Sequence, residues 1–206
     1  PDRLLTLDPT GDKPWQGSAI FDNANGLDAY ELEGDLTVSS GVSLTVDAGV
    51  QVLARTGAEL EVEGTLSALG TVNAPIVFTS LDPTPGGWEG LSFEGGMGYL
   101  SHVVVRYGAN TSNDANIYVK DSSVYLESSH VLSAGVASSI DHGLYADHSH
   151  VVISDTRFAY NGDSLADCAL YAQNGGGLTV THSIFEDNAG YAVQVDANSI
   201  RRLVGN

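Results

Sequence analysis

Short apolar runs that alternate with polar residues recur along this chain at a near-constant distance, most regularly between residues 116 and 195. Asn116-Ile-Tyr-Val119, Gly143-Leu-Tyr-Ala146, Ala169-Leu-Tyr-Ala172 and Ala192-Val-Gln-Val195 each open a unit. The first three units continue into a second apolar pair, Val124/Leu126, Val151/Ile153 and Leu178/Val180, and a third apolar site follows at Val131, Phe158 and Phe185. Equivalent residues in the first three units stand 26 or 27 positions apart, as from Leu144 to Leu170 or from Ile117 to Leu144. Period-two alternation puts the apolar side chains on one face of a strand. A repeat of this size without any helical pattern signals a solenoid.

Upstream the strands are shorter and closer. Leu36-Thr-Val38, Leu44-Thr-Val46, Val50-Gln-Val52, Leu60-Glu-Val62 and Ile76-Val-Phe78 alternate inward apolar with outward polar residues, and Gly41, Gly49, Gly57, Gly64 and Gly70 separate them. Such runs suit the sides of a narrow β-helix. After a loop at residues 82–90 the register resumes, since Leu91 to Ile117 and Val105 to Val131 are both 26.

Stacking the equivalents predicts three interior rows. One is Leu91, Ile117, Leu144, Leu170 and Val193; a second is Leu126, Ile153 and Val180; a third is Val105, Val131, Phe158, Phe185 and Leu203. Stacked strands lie ~4.8 Å apart, so about eight coils make a rod of ~40 Å. Truncating Phe158 or Phe185 to Ala is expected to cost ~3–5 kcal/mol through the cavity left behind. Asn161 and Asn188 recur at the same step beside Gly162 and Ala189. They predict a ladder of amides at a tight turn, with Asn tolerating a left-handed backbone.

Residues 1–29 do not repeat and read as an N-terminal capping segment, with Trp15 and Phe21 expected over the first coil; residues 30–206 read as the parallel β-helix. The chain starts Pro1-Asp-Arg-Leu-Leu, with neither Met nor a signal peptide, and stops partway through a coil. A processed or excised piece of a longer precursor, with more coils beyond residue 206, is the expectation.

Composition narrows the partners. Net charge is −18, from 26 acidic against 8 basic residues, and no basic run exists, so nucleic acid is excluded as a partner. The acid excess keeps a strand-rich surface soluble or attracts divalent cations. Cys168 is the only cysteine, which leaves no intrachain disulfide and reads as a buried filler. No stretch approaches the ~20 apolar residues of a membrane span.

Further wording carries a resemblance. Gly34-Asp-Leu-Thr-Val38, Gly41-Val-Ser-Leu-Thr-Val46, Leu60-Glu-Val-Glu-Gly-Thr-Leu66, Ala74-Pro-Ile-Val-Phe-Thr-Ser80, Gly87-Trp-Glu-Gly-Leu-Ser-Phe93 and Ser183-Ile-Phe-Glu-Asp-Asn188 resemble the repeats of secreted bacterial right-handed parallel β-helix proteins of the pectin-lyase-like superfamily. The resemblance spans roughly residues 30–206. It implies the fold and an extracellular or cell-surface location, and it admits polysaccharide lyases and hydrolases as relatives. Of the ordered catalytic motifs of the polygalacturonase branch the chain shows only Asp141-His142-Gly143.

Two surfaces could carry chemistry. If Ile117 and Val119 point inward, Tyr118, Tyr145 and Tyr171 form an outward ladder followed by Gln194. Beside it run Lys120, Asp147 and Gln173, then Asp121, His148 and Asn174. Aromatic faces flanked by amides and carboxylates suit stacking on sugar rings, making Tyr118, Tyr145, Tyr171, Asp147 and His148 the candidate carbohydrate-binding residues; mutual stacking of the tyrosines is the structural alternative. On another face the row Ser128, Asp155, His182 adjoins His130, Arg157, Ile184. Asp155, Arg157, His182 and His130 could supply a base, an acid and an anion clamp, while charge-complementary surface rungs explain the same residues without chemistry.

Calcium is the one cofactor left open, because aspartates abound, although no EF-hand loop or glycine-rich nonapeptide array occurs. His142, His148 and His150 lack Cys partners at zinc-site spacing, and Thr37, Thr45, Thr65, Thr79 and Thr179 form no repeated Thr-x-Thr rungs for ice.

The expectation is therefore an all-β, right-handed parallel β-helix with an N-terminal cap. Its expected role is a non-catalytic structural or adhesive module of a bacterial surface or secreted protein, self-associating or stacking on neighbouring coils of its parent chain. A polysaccharide lyase or glycoside hydrolase, or a passive carbohydrate-binding module, is the alternative.

Overall fold

In the computed structural model the alternating runs become three parallel sheets wound into one right-handed parallel β-helix. The structure describes residues 4–7, 17–27, 29–110, 114–135 and 140–206. Sheet A contains eight strands: Leu4–Leu7, Ala29–Leu32, Gln51–Ala54, Ile76–Ser80, Val103–Arg106, His130–Leu132, Arg157–Ala159 and Ile184–Glu186. Sheet B contains seven: Leu36–Val38, Glu59–Val62, Gly90–Glu94, Ala115–Lys120, His142–Asp147, Cys168–Gln173 and Tyr191–Val195. Sheet C contains Ala19–Phe21, Ser43–Val46, Thr65–Leu69, Met97–Ser101, Ser123–Glu127, His150–Ser154, Gly177–Thr181 and Ile200–Val204. From residue 29 onward the chain visits A, B and C in turn, and each strand pairs with its equivalent one winding away.

The interior rows follow the sequence register. Leu91, Ile117, Leu144, Leu170 and Val193 pair in succession down sheet B, and Leu126, Ile153 and Val180 do so in sheet C. Val105, Val131, Phe158 and Phe185 form the row in sheet A, where the two phenyl rings stack at 5.1 Å and 8°. Size is balanced across the core. A Cβ on Gly98 would stand 2.7 Å from the Phe93 ring, so the bare backbone of sheet C makes room for the largest side chain of its row in sheet B.

Leu203 departs from its expected place. It pairs with Val180 in sheet C, not with Phe185 in sheet A. The winding before it is short: Ser183 and Asn206, bonded across adjacent rungs, are 23 residues apart. The run after Tyr191–Val195 enters sheet C, the next sheet in the winding order.

In the segment expected to cap the helix, Leu4–Leu7 pairs with Ala29–Leu32 and Ala19–Phe21 pairs with Leu44–Val46. Phe21 is buried and stacks on Tyr30 at 4.2 Å and 11°. Trp15 lies outside the described residues. Trp88, wholly buried, closes the core beside sheet B and donates its indole N–H to the Arg106 carbonyl at 2.9 Å.

The three corners differ. Sheets B and C, and C and A, are joined through the middle of the rod by one to three residues, the first of them left-handed: Asp121, His148 and Asn174 at one corner, His102, Ser128, Asp155 and His182 at the other, while the earlier C-to-A turns 47–50 and 70–75 are longer. The next residue is usually a hydroxyl that reaches along the axis. Ser129 accepts from the Val103 N–H, Thr156 from Ser129 and Ser183 from Thr156, while Ser122 and Ser149 serve Gly96 and Ser122 at the opposite corner. The A-to-B connection is short at 33–35 and 55–58, long at 81–89, 107–114, 133–141 and 160–167, and short again at 187–190.

The amide ladder exists, with a changed cause and an added member. Asn161 Nδ2 donates to Asn188 Oδ1 at 3.0 Å, and Asn116, from a separate part of the repeat, donates to Asn161 Oδ1 at 3.2 Å. The left-handed residues are Tyr160 and Gly162, on either side of Asn161. Asn161 is chosen for its side-chain bonds, not for its backbone.

Candidate functional site

Sheet B presents its outward face between the long A-to-B connections and the tight B-to-C corner. Register brings Tyr118, Tyr145, Tyr171 and Gln194 into one outward row, and Ser92, Glu61 and Thr37 continue it the other way. The tyrosines are half-buried and meet edge to face, Tyr118 with Tyr145 at 5.3 Å and 77°, Tyr145 with Tyr171 at 5.2 Å and 62°. Gln173 joins two of the hydroxyls: its Nε2 donates to Tyr145 Oη at 2.6 Å, and Tyr171 donates to its Oε1 at 3.0 Å. Burial, aided by the nearby Asp147 carboxylate, pushes the Tyr145 phenol up to about 12, so it stays a neutral donor.

The row ends in a cavity of about 390 Å³ lined by Tyr171, Gln173, Asn174, Gln194, Asp196 and Asn198 among others. Its polar lining is mainly amide. Along the B-to-C corner, Asn174 donates to Asp147 and the His148 ring nitrogen meets Asp121 at 2.6 Å. Lys120 stands 3.9 Å from Glu94. The structure thus places Tyr118, Tyr145, Tyr171 and Asp147, of the five residues assigned to carbohydrate binding, on the outer face of sheet B, and His148 at the corner beside them.

His142 joins them unannounced. It is buried, stacks on Tyr171 at 5.1 Å and meets Tyr145 edge-on at 5.7 Å, while its Nδ1 accepts from the Cys168 N–H at 3.0 Å. Burial pulls its pKa below the usual imidazole value against the opposing pull of Asp167. Gly143 follows because a Cβ there would collide with the Ala169 carbonyl and crowd Asn161. The motif Asp141-His142-Gly143 is thereby accounted for by packing.

On the loop side, the carboxylates of Asp141, Asp163 and Asp167 lie within 4.8 Å of one another. These are the donors that a calcium ion would use. Asp167 is already engaged, its oxygens accepting the N–H groups of Asp141 at 3.0 Å and of Asp163 and Ser164 at 2.7 Å. Burial alone would raise its pKa, but these bonds outweigh it and hold the carboxyl below the usual range. It fastens the 160–167 connection.

The second candidate cluster is spread over a corner and a sheet. Asp155 and His182 are successive left-handed corner residues with φ of 50° and 52°. His130 and Arg157 pair in register on the outer face of sheet A. Arg157 donates to Glu186 Oε1 at 2.5 Å and lies over the Tyr160 ring at 5.6 Å. Burial, and after it the Arg157 charge, lowers the His130 pKa. Among the described residues no hydrogen bond or ion pair joins Asp155 to His182, Arg157 or His130.

Sheet order and register define the class: the chain is a parallel β-helix repeat protein. Residues 21–116 match the family model described as pectate-lyase like beta helix domain. That stretch ends just short of Tyr118, so the match covers the earlier coils and not the tyrosine row. Searches of curated proteins and of solved structures found no match.

Proposed function

We propose that this protein is an extracellular, non-catalytic adhesive rod that holds a polysaccharide along the outer face of sheet B. One observation carries the reading: the in-register row Tyr118, Tyr145, Tyr171 and Gln194 opens into an amide-lined cavity. Half-buried phenols give apolar surface with a polar edge, and amides give paired hydrogen bonds for ring hydroxyls. The rungs hold these groups at the ~4.8 Å spacing of the sheet, so the site is rigid before a ligand arrives and little ordering entropy is lost on binding. Glycan microarray binding followed by titration tests it. Tyr145→Ala should weaken binding at least about tenfold, as expected for one lost stacking contact and its hydrogen bond, and unchanged binding in that variant removes the reading. The expected self-association is tested by sedimentation, where a monomer at every concentration counts against it.

The pectate-lyase like match favours one second reading, a polysaccharide lyase or glycoside hydrolase. Under it Asp155, His182 and His130 handle protons and Arg157 clamps an anion. Unsaturated or reducing ends released from polysaccharide, and lost in Asp155→Ala or His182→Ala, would replace adhesion by catalysis.

A further inference from the structure

We infer that the sheet B face takes a polysaccharide bearing protonated amines and turns away one bearing carboxylates; this rests on the glycan-binding reading above and names its ligand class. Lys120 is the only lysine or arginine on the seven strands of sheet B, and it is drawn to Glu94. One N–H of Gln173 goes to Tyr145 and one of Asn174 to Asp147, which leaves each amide a second N–H for ring hydroxyls. Glu94, Asp121 and Asp147 flank the row at the B-to-C edge, with Asp121 meeting the His148 ring, while Asp141 and Asp167 on the loop side are wholly buried and belong to the fold. The exposed charge beside the row is therefore mainly negative, three carboxylates against Lys120 and the His148 ring.

A uronate chain brings carboxylates, which only accept hydrogen bonds and would face like charge. An ammonium group brings three donors, no acceptor and a positive charge. It is also the ligand that aromatic faces attract: a cation within about 6 Å of a tyrosine ring is drawn to the ring quadrupole. Tyrosines and carboxylates together thus favour the same ligand charge by independent physics.

The test is calorimetric titration of the full chain with three oligosaccharides of equal length, one of glucosamine, one of N-acetylglucosamine and one of galacturonate. At about pH 6 the carboxylates of protein and uronate are ionised. At low salt the glucosamine oligomer should bind at least about tenfold tighter than the galacturonate oligomer, and its advantage should shrink in ~0.5 M salt as screening shortens the reach of the charges. Asp147→Asn should weaken glucosamine binding more than N-acetylglucosamine binding, whereas Tyr145→Ala should weaken both alike. Equal affinity for all three, or tightest binding of either other oligomer, overturns the charge preference while the glycan site stands. Binding of none of the three overturns the site itself, and the preference with it.

Discussion

Replacing Asn161 by Ala tests the amide ladder in the middle of the rod. Asn161 is wholly buried and makes four side-chain bonds. Its Nδ2 donates to the Val131 carbonyl and to Asn188 Oδ1, both at 3.0 Å, and its Oδ1 accepts from the Ala134 N–H and from Asn116 Nδ2, both at 3.2 Å. Two partners keep another bond in the variant: Asn116 still reaches the Leu132 carbonyl, and Asn188 Oδ1 still accepts the backbone N–H of residue 161. The Ala134 N–H and the side-chain bond to Val131 are lost outright. At about 1–3 kcal/mol for each buried group left unmatched, the variant should lose about 3 kcal/mol. For a chain of this length that is roughly 6–12 °C in Tm. Denaturant unfolding followed by circular dichroism measures it, with Asn188→Ala as the comparison. Asn188 is half-buried, so water can replace its bonds and about 1 kcal/mol is expected. A loss below about 1 kcal/mol at Asn161, or equal losses at the two sites, refutes burial as the source of the ladder's strength.

Phe158→Ala should cost ~3–5 kcal/mol by the same unfolding assay, but Phe185→Ala only ~1–2 kcal/mol, because Phe158 is enclosed and Phe185 is only partly buried. The equal cost expected from sequence is revised on that ground. His142 predicts a pH dependence: its folded pKa is depressed, so its contribution is complete above the unfolded value of about 6.5 and is lost as pH falls through and below it. His142→Gln should flatten the stability curve in that window, and an unchanged slope would refute the assignment. Cys168, whose thiol burial pushes up to about 11, should resist a thiol reagent at about pH 8 in the native protein and react at once in denaturant, since the thiolate is the nucleophile.

The interior was legible in sequence because stacking repeats the same demand at every winding: Leu144 and Leu170 fill equivalent volumes and so must be alike. The outward tyrosine row was legible for the same reason, since alternation fixes which side Tyr118 faces once Ile117 is placed. Leu203 fell into the wrong row because it stands only 18 residues after Phe185, two-thirds of a winding, which carries the chain from sheet A past sheet B into sheet C. Asn116 was invisible as a ladder member because it enters from a strand position, where period alone predicts no lateral reach. The corner hydroxyls could have been found: Ser129, Thr156 and Ser183 recur at the full 27-residue step directly after the left-handed residues. Asp155 and His182 invited a catalytic reading because the sequence reveals their stacking but not that they are the corners themselves.

The unequal corners divide the molecule by how much change it can absorb. Two are held through the middle of the rod by left-handed residues and hydroxyl tethers. The A-to-B connection ranges from 55–58 to 81–89 between adjacent windings while the sheets on either side keep their pairing. Insertions and grafted segments should therefore be tolerated there, as at the longer C-to-A turns 47–50 and 70–75 of the early coils, and at the later A-to-B connections they would land beside the tyrosine row. A family of variants with different preferences could arise from this scaffold by editing one seam alone.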